Sequence, residues 1–307
     1  MIRNLNRRIL LAVPGGLAGQ IFAVGYAVIL SNKYKKNVHI QFHDVGTNIS
    51  KFGVEKILET RTARGLGITY SQTNRAWPVE LNKFKSDILN RIPRSTSLAE
   101  EDSLPFGVIT DLTLSRARRG SIICGYPTDY RIIEESWPIL SQMIGESGYL
   151  DFTKFTGMEN SVAIHWRLGD YVGNEFHGAV TWNSLENCLL LANENGLKVR
   201  VFSDSLDLAK EIIGQRLANY DIELVANDIW TDLYLMTRSK VFIGTQSGIS
   251  FLTALSLRHD SGSAKTWLPD KWFRNVDAES NFKRSKKTFD KSNIYYADLS
   301  ADETLAK

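Results

Sequence analysis

From Gly157 onward the chain alternates short apolar runs with stretches of helical length, and few architectures accept that pattern. Strands are expected at 162–166, 198–202, 222–225, 241–243 and 265–268. Helices are expected between them, at about 182–194, 206–217, 229–239 and from about 249. Repetition of this kind implies a parallel sheet covered by helices. The N-terminal half opens the same way, with a strand at 8–13, a glycine turn, a helix over about 17–36 and a second strand at 38–42. The helix carries an apolar stripe, Leu17, Ile21, Val24 and Val28, that should pack on the first sheet. Residues 45–150 hold Gly-, Pro- and charge-rich pieces, and helices are expected among them.

At 307 residues the chain has room for two domains of ordinary size. The pattern divides it into an N-terminal domain over 1–150, a ligand-binding domain over 151–290 and a tail over 291–307. Hydrophobic content of 43% and charged content of 23% describe a water-soluble globular chain. No run approaches the roughly 18 apolar residues of a bilayer span. A net charge of +3 lacks the basic excess of a nucleic-acid binder. Arg116, Arg118 and Arg119 form a tight basic cluster, to be read as solvated loop charge or as a phosphate or membrane-surface contact. Cys124 and Cys188 make neither a disulfide framework nor a zinc spacing. A reducing cytoplasm is the expected location, with peripheral contact at the inner face of the membrane as the nearest approach to lipid.

Polar residues gather where three of the expected strands end. Ser161 to Tyr171 is an apolar run that closes on His165, Arg167 and Asp170. Ligands of parallel sheets bind beyond the carboxyl ends of the strands, and a forked, permanently charged guanidinium suits a phosphate there. An ion pair between Arg167 and Asp170 is the structural alternative. Asp204 follows the next strand, where its carboxylate is placed to read a purine edge; alternatively Asp204 or Ser205 is only the N-cap of the following helix. After the strand at 241–243, Thr245, Ser247 and Ser250 alternate with glycine at the start of a helix. That arrangement supplies backbone N–H groups, hydroxyls and a favourable dipole for phosphate, and capping by Ser247 or Thr245 uses the same atoms. Gly15, Gly16 and Gly19 after the first strand permit close approach of a ligand or simple tight turning. Their spacing is not that of a dinucleotide fingerprint. No Asp-x-Asp triplet is present to hold a divalent ion on a diphosphate.

In these segments the chain resembles the α-1,2-fucosyltransferases of the GT-B fucosyltransferase superfamily. Gly15 to Phe22 is similar to the family's GGLGNQMF, His165 to Tyr171 to its HxRRGDY, and Phe176-His177-Gly178 to a short HG element. Phe202-Ser203-Asp204 resembles FSDD, Asp232 to Met236 resembles DxYLM, Gly244 to Leu252 resembles NSSFSWW, and Trp267 to Phe273 resembles the late AP-x-x-WF. The resemblance implies an α/β fold of GT-B type, two Rossmann-like domains with parallel sheets facing across a cleft. It implies inverting transfer of L-fucose from GDP-fucose, without a metal or other cofactor, to a hydroxyl such as O-2 of a galactose.

By the same resemblance His165, Arg167, Asp204, Thr245, Ser247 and Ser250 bind the donor, with Arg167 on phosphate and Asp204 on guanine. Gly15, Gly16, Gly19 and Gln20 form the glycine loop. Arg167, Asp170 and Glu175 are the candidate catalytic residues, either carboxylate serving as base or only ordering the loop, and His43 and His177 are candidates for the acceptor side. The expected partners are a nucleotide sugar and an oligosaccharide or lipid-linked glycan of surface polysaccharide, with no nucleic acid. Departures are Leu168 for the second arginine, Gly19 for asparagine, and Phe251-Leu252 for the tryptophan pair. Two other readings stay open. One is a transferase using another nucleotide sugar, or a related carbohydrate-modifying enzyme such as a pyruvyltransferase. The other is a non-catalytic carbohydrate-binding subunit.

Overall fold

The structure, a computed structural model, describes residues 8–13, 16–44, 53–76, 96–98, 109, 111–125, 127, 129–149, 157–174, 179–192, 196–214, 220–261, 264–270 and 294–297, apart from 126 and 128. The chain divides into two compact units, Met1–Gly148 and Tyr149–Lys307. Each holds one wholly parallel sheet, so the fold is α/β.

In the first unit, β1 (Ile9–Val13) is central and is flanked by β2 (Val38–Asp44) and β5 (Ile122–Cys124). Beyond these lie β3 (Thr69–Ala76) and β4 (Thr96–Leu98), giving the order β3-β2-β1-β5-β4. Helix α1 (Leu17–Asn32) is buried almost all round, Gln20, Gly25 and Ser31 included, where an apolar stripe was expected. A helix apolar on every face belongs in the middle of a unit. It stops at Asn32, short of residue 36, and Lys35 in the left-handed region (φ 53°) completes the break. Short helices α2 (Val54–Leu58), α3 (Arg61–Gly65) and α4 (Asp111–Arg116) follow, then α5 (Tyr130–Glu146), whose N-cap Asp129 accepts from the Arg131 N–H. Helices were expected in this region. Strands β3, β4 and β5 were not, because none presents a long apolar run.

The second unit follows the expected alternation: β6 (Ser161–Trp166), α6 (Trp182–Ala192), β7 (Lys198–Ser203), α7 (Leu206–Ile213), β8 (Ile222–Val225), α8 (Ile229–Met236), β9 (Val241–Gly244), α9 (Gly248–Ser256) and β10 (Lys265–Pro269). The sheet order is β11-β10-β9-β6-β7-β8. Its edge strand β11 (Ile294–Ala297) pairs with β10, so part of the segment expected to be a tail completes the sheet. Every residue of the central strand β6 is buried. One core gathers Ile164, Trp166, Leu168, Trp182, Val201 and Ile243. The Trp166 Nε1–H donates to the Val180 carbonyl at 2.8 Å, so this tryptophan is a satisfied core residue. Cys188 is a buried thiol whose pKa burial pushes up to about 11. Among the described residues no helix is long and apolar enough to cross a membrane.

Candidate active site

All strands of the second sheet run the same way, so the segments leaving β6, β7 and β9 emerge along one edge. Hydrogen bonds tie them together there. Where β9 ends, the Thr245 N–H donates to the His165 carbonyl at 3.1 Å. In return the Arg167 N–H donates to Thr245 Oγ1 at 3.0 Å. Buried His165 joins its Nδ1 to Ser250 Oγ at 2.7 Å, linking β6 to the first turn of α9. Burial, reinforced by the charge of Arg167, drives the His165 pKa down to about 3, so the imidazole is neutral near pH 7. Gly244 makes this link possible. A Cβ there would lie 2.7 Å from Ser250 Cβ and 3.0 Å from Leu268 Cδ2.

The Arg167 side chain is 35% exposed. Its Nε and Nη2 both reach Asp170 Oδ1 at 2.8 Å, and Nε lies 3.2 Å from Asp204 Oδ2. The ion pair named as the structural alternative is therefore formed, and it leaves the guanidinium partly open to solvent. Burial works against the charge, but the hydrogen bond from Arg167 to Asp170 and the charges of Asp204 and Asp170 outweigh it and raise the arginine pKa. The guanidinium carbon also lies 5.7 Å from the centre of the Tyr171 ring.

Asp204 holds the loop on which Arg167 sits. Its Oδ1 accepts the Leu168 N–H at 2.8 Å and the Gly169 N–H at 3.2 Å. A Cβ at Gly169 would collide with its Oδ2. Leu168, standing where the resembled motif has a second arginine, is fully buried in the core of the unit. A one-turn 3-10 helix, Gly169–Tyr171, follows, with the Tyr171 and Val172 N–H groups both on the Leu168 carbonyl at 2.9 Å. Ser205, not Asp204, occupies the N-cap position of α7, and its side chain makes no capping bond.

At the N-terminus of α9, Ser247 caps with its Oγ accepting the Ile249 N–H at 3.2 Å. The sequence assigned no role to Gln246 beside it. Its side chain is 4% exposed, and Oε1 is buried with no hydrogen-bond partner. An unsatisfied buried acceptor costs about 1–3 kcal/mol, so this atom calls for a donor. Asp232 in α8 is a second residue without an assigned role. Burial first, opposed by the hydrogen bond from Asn227 and aided by the charge of Asp228, raises its pKa to about 6.

His165, Arg167, Asp170, Asp204, Thr245, Ser247 and Ser250 thus share one edge of one sheet. The glycine loop and His43 belong to the first unit. Gly16 is the N-cap of α1, with open space where a Cβ would stand, while Gly19 and buried Gln20 lie in the first turn. His43 pairs with Thr73 next to an irregularity in β2. Gly15, Glu175 and His177 lie outside the described residues. Among the described residues no group of three or more His, Cys, Asp or Glu is placed to hold a metal ion.

No family model matches the chain. It is 30% identical over 129 residues to an alpha-1,2-colitosyltransferase of Escherichia coli, a match covering 39% of this chain and 44% of that protein. The match therefore spans less than half of either. Among solved structures, the chain is similar to the heptosyltransferase TibC of enterotoxigenic E. coli in complex with ADP-D-beta-D-heptose. Sequence identity is 12%, the TM-score is 0.44, and 87% of this chain and 59% of that one are covered. It is also similar to the E. coli heptosyltransferase WaaC with ADP, at 9% identity and a TM-score of 0.43, covering 86% of this chain and 87% of that one.

Proposed function

We propose that the chain is a glycosyltransferase that takes its sugar from a nucleotide donor at the carboxyl edge of the second sheet. One observation carries this reading: the Arg167 backbone is bonded to Thr245, so a forked cation and a helix N-terminus, two anion-binding devices, are fixed side by side. The partial match to a colitosyltransferase supports sugar transfer. Together with the fucosyltransferase-like motifs it favours a GDP-activated fucose or colitose as donor.

In this reading the diphosphate displaces Asp170 from Arg167. The guanidinium and the free N–H groups of the first turn of α9 then face the charge that grows on the leaving GDP. Asp204 Oδ2, released from Arg167 in the same exchange, becomes available to accept the guanine N–H groups. In this reading Asp170, whose side chain is 63% exposed, takes the proton of an acceptor hydroxyl, with Glu175 as the alternative base. That hydroxyl attacks the anomeric carbon as the bond to the phosphate oxygen breaks, and the configuration inverts. Gln246 Oε1 takes a hydroxyl donor from the ribose or the sugar. Fixed protein dipoles and Arg167 serve in place of a metal, and the acceptor is a galactose-ended glycan, free or lipid-linked.

Calorimetric titration with GDP, ADP and UDP, followed by turnover of GDP-fucose and GDP-colitose with and without EDTA, tests each part. GDP is expected to bind tightest. Arg167→Lys, which keeps charge and loses the fork, should weaken binding by about tenfold or more, the scale of a charged hydrogen bond at roughly 1.5–3 kcal/mol. Unchanged GDP affinity in a folded Arg167→Ala protein would overturn the site. Loss of turnover in EDTA with rescue by manganese would overturn metal independence.

A further inference from the structure

The first sheet has a second edge, at the amino ends of its strands, opposite the edge where Gly16 begins α1. The segments entering β1, β2 and β5 are knitted together there. The Ile9 N–H donates to the Asn37 carbonyl at 2.8 Å, the Gly120 N–H to Arg8 at 3.0 Å and the Leu10 N–H to Ser121 at 2.9 Å. The segment entering β3 joins them, because Ser31 Oγ donates to the Leu66 carbonyl and a Cβ at Gly67 would lie 3.6 Å from Asn37 Oδ1.

These same segments carry Lys35, Lys36, Arg64, Arg116, Arg118 and Arg119. All are exposed except half-buried Lys36. None forms an ion pair among the described residues. The carboxylates nearest in sequence are engaged otherwise, Asp111 by Lys33 and Tyr34 and Glu59 by Tyr70. A chain whose net charge is only +3 therefore gathers unpaired cations along one edge. Leu112, 52% exposed, lies one helical turn before Arg116 and so on the same face of α4.

We propose that this amino edge docks the protein on an anionic phospholipid surface. Lysines and arginines near such a surface each add attraction that falls off within a Debye length. An exposed leucine on the same helix face as Arg116 gains by entering the headgroup and acyl boundary, whereas it gains nothing against a sugar-phosphate backbone. The exposed large hydrophobics of the described residues are leucines, with no aromatic to stack on bases. Docking by this edge leaves the opposite edge of the same sheet, with its glycine turn, clear of the lipid. The proposal stands whether or not the sugar chemistry above is correct.

The test is co-sedimentation of the full chain with vesicles of phosphatidylcholine alone or mixed with phosphatidylglycerol. Binding is expected only with the anionic lipid and should weaken as sodium chloride is raised. Replacing Arg116, Arg118 and Arg119 together by Gln should reduce partitioning by on the order of a hundredfold, since each cation contributes about fivefold. Leu112→Ser, with every charge in place, should reduce it by a smaller factor. Unaltered circular dichroism and urea midpoints in both variants would show that the fold is intact. Equal sedimentation with neutral vesicles, undiminished binding by the folded triple variant, displacement by millimolar inorganic phosphate, or preference for duplex DNA over vesicles would each overturn the proposal.

Discussion

At the scale of the residue, Gly169 shows how little room the arginine loop leaves. A methyl group there would collide with Asp204 Oδ2. The same carboxylate accepts the Leu168 and Gly169 N–H groups and faces Arg167 Nε. The group that must give way is therefore the one that holds the loop. Gly169→Ala should displace Asp204, release Arg167 from its place and weaken nucleotide binding by about tenfold, the worth of one charged hydrogen bond. Calorimetry with GDP reads the loss. A double-variant cycle identifies its route: in an Asp204→Ala background the added Gly169→Ala should cost nothing. An undiminished loss in that background would show that Gly169 acts through some other contact.

At the scale of the element, the strands whose ends build the site were legible, whereas β3, β4, β5 and β11 were not. β6, β7 and β9 are apolar runs closed by polar or glycine residues, and parallel pairing puts their ends together whatever the details of packing. β3 is the polar run TYSQTNRA at a sheet edge. β4 and β5 have three residues each, and β11 has four in a charge-rich segment. Such strands are specified by neighbours, not by their own pattern. The same limit applies to side chains. Arg167, Asp204 and the hydroxyls near 247 could be named from position along a strand or helix. The orphan oxygen of Gln246 and the clearance at Gly169 arise only when segments distant in sequence meet.

Helix α1 makes the point about packing quantitatively. A Cβ at Gly25 would lie 2.7 Å from Ser136 Oγ and 3.1 Å from Ile133 Cδ1, both on α5. Alanine would add about 0.8–1 kcal/mol of helix preference, while overpacking a close contact costs about 1–3 kcal/mol. The expected net effect of Gly25→Ala is a loss of about 1 kcal/mol in urea denaturation, partly restored in the double variant with Ser136→Ala. A Gly25→Ala protein as stable as the parent would mean that α5 shifts freely, against the packing described.

For the whole molecule, pH dependence of stability brings together a buried and a half-buried group of opposite sign. His165 has its pKa lowered from 6.5 to about 3, so between those values the unfolded chain holds a proton that the folded chain does not, and stability falls as pH falls. The scale is about 1.4 kcal/mol per pH unit. Asp232 has its pKa raised from 3.8 to about 6, so in that window the folded chain holds the extra proton and stability rises as pH falls. Asp232 keeps contact with water, and screening makes its contribution the smaller. The two offset each other in part between about pH 4 and 6. His165→Asn, which retains a partner for Ser250, should remove the first effect and make urea midpoints less sensitive to acid in that window. Asp232→Asn should remove the second and make the acid loss steeper than in the parent. The rest of the sequence is common to all three proteins, so the comparison isolates the effects of these two substitutions. Identical slopes in the parent and His165→Asn proteins would mean that the imidazole is hydrated in the folded chain, and the neutral, buried His165 that ties β6 to the first turn of α9 would have to be abandoned.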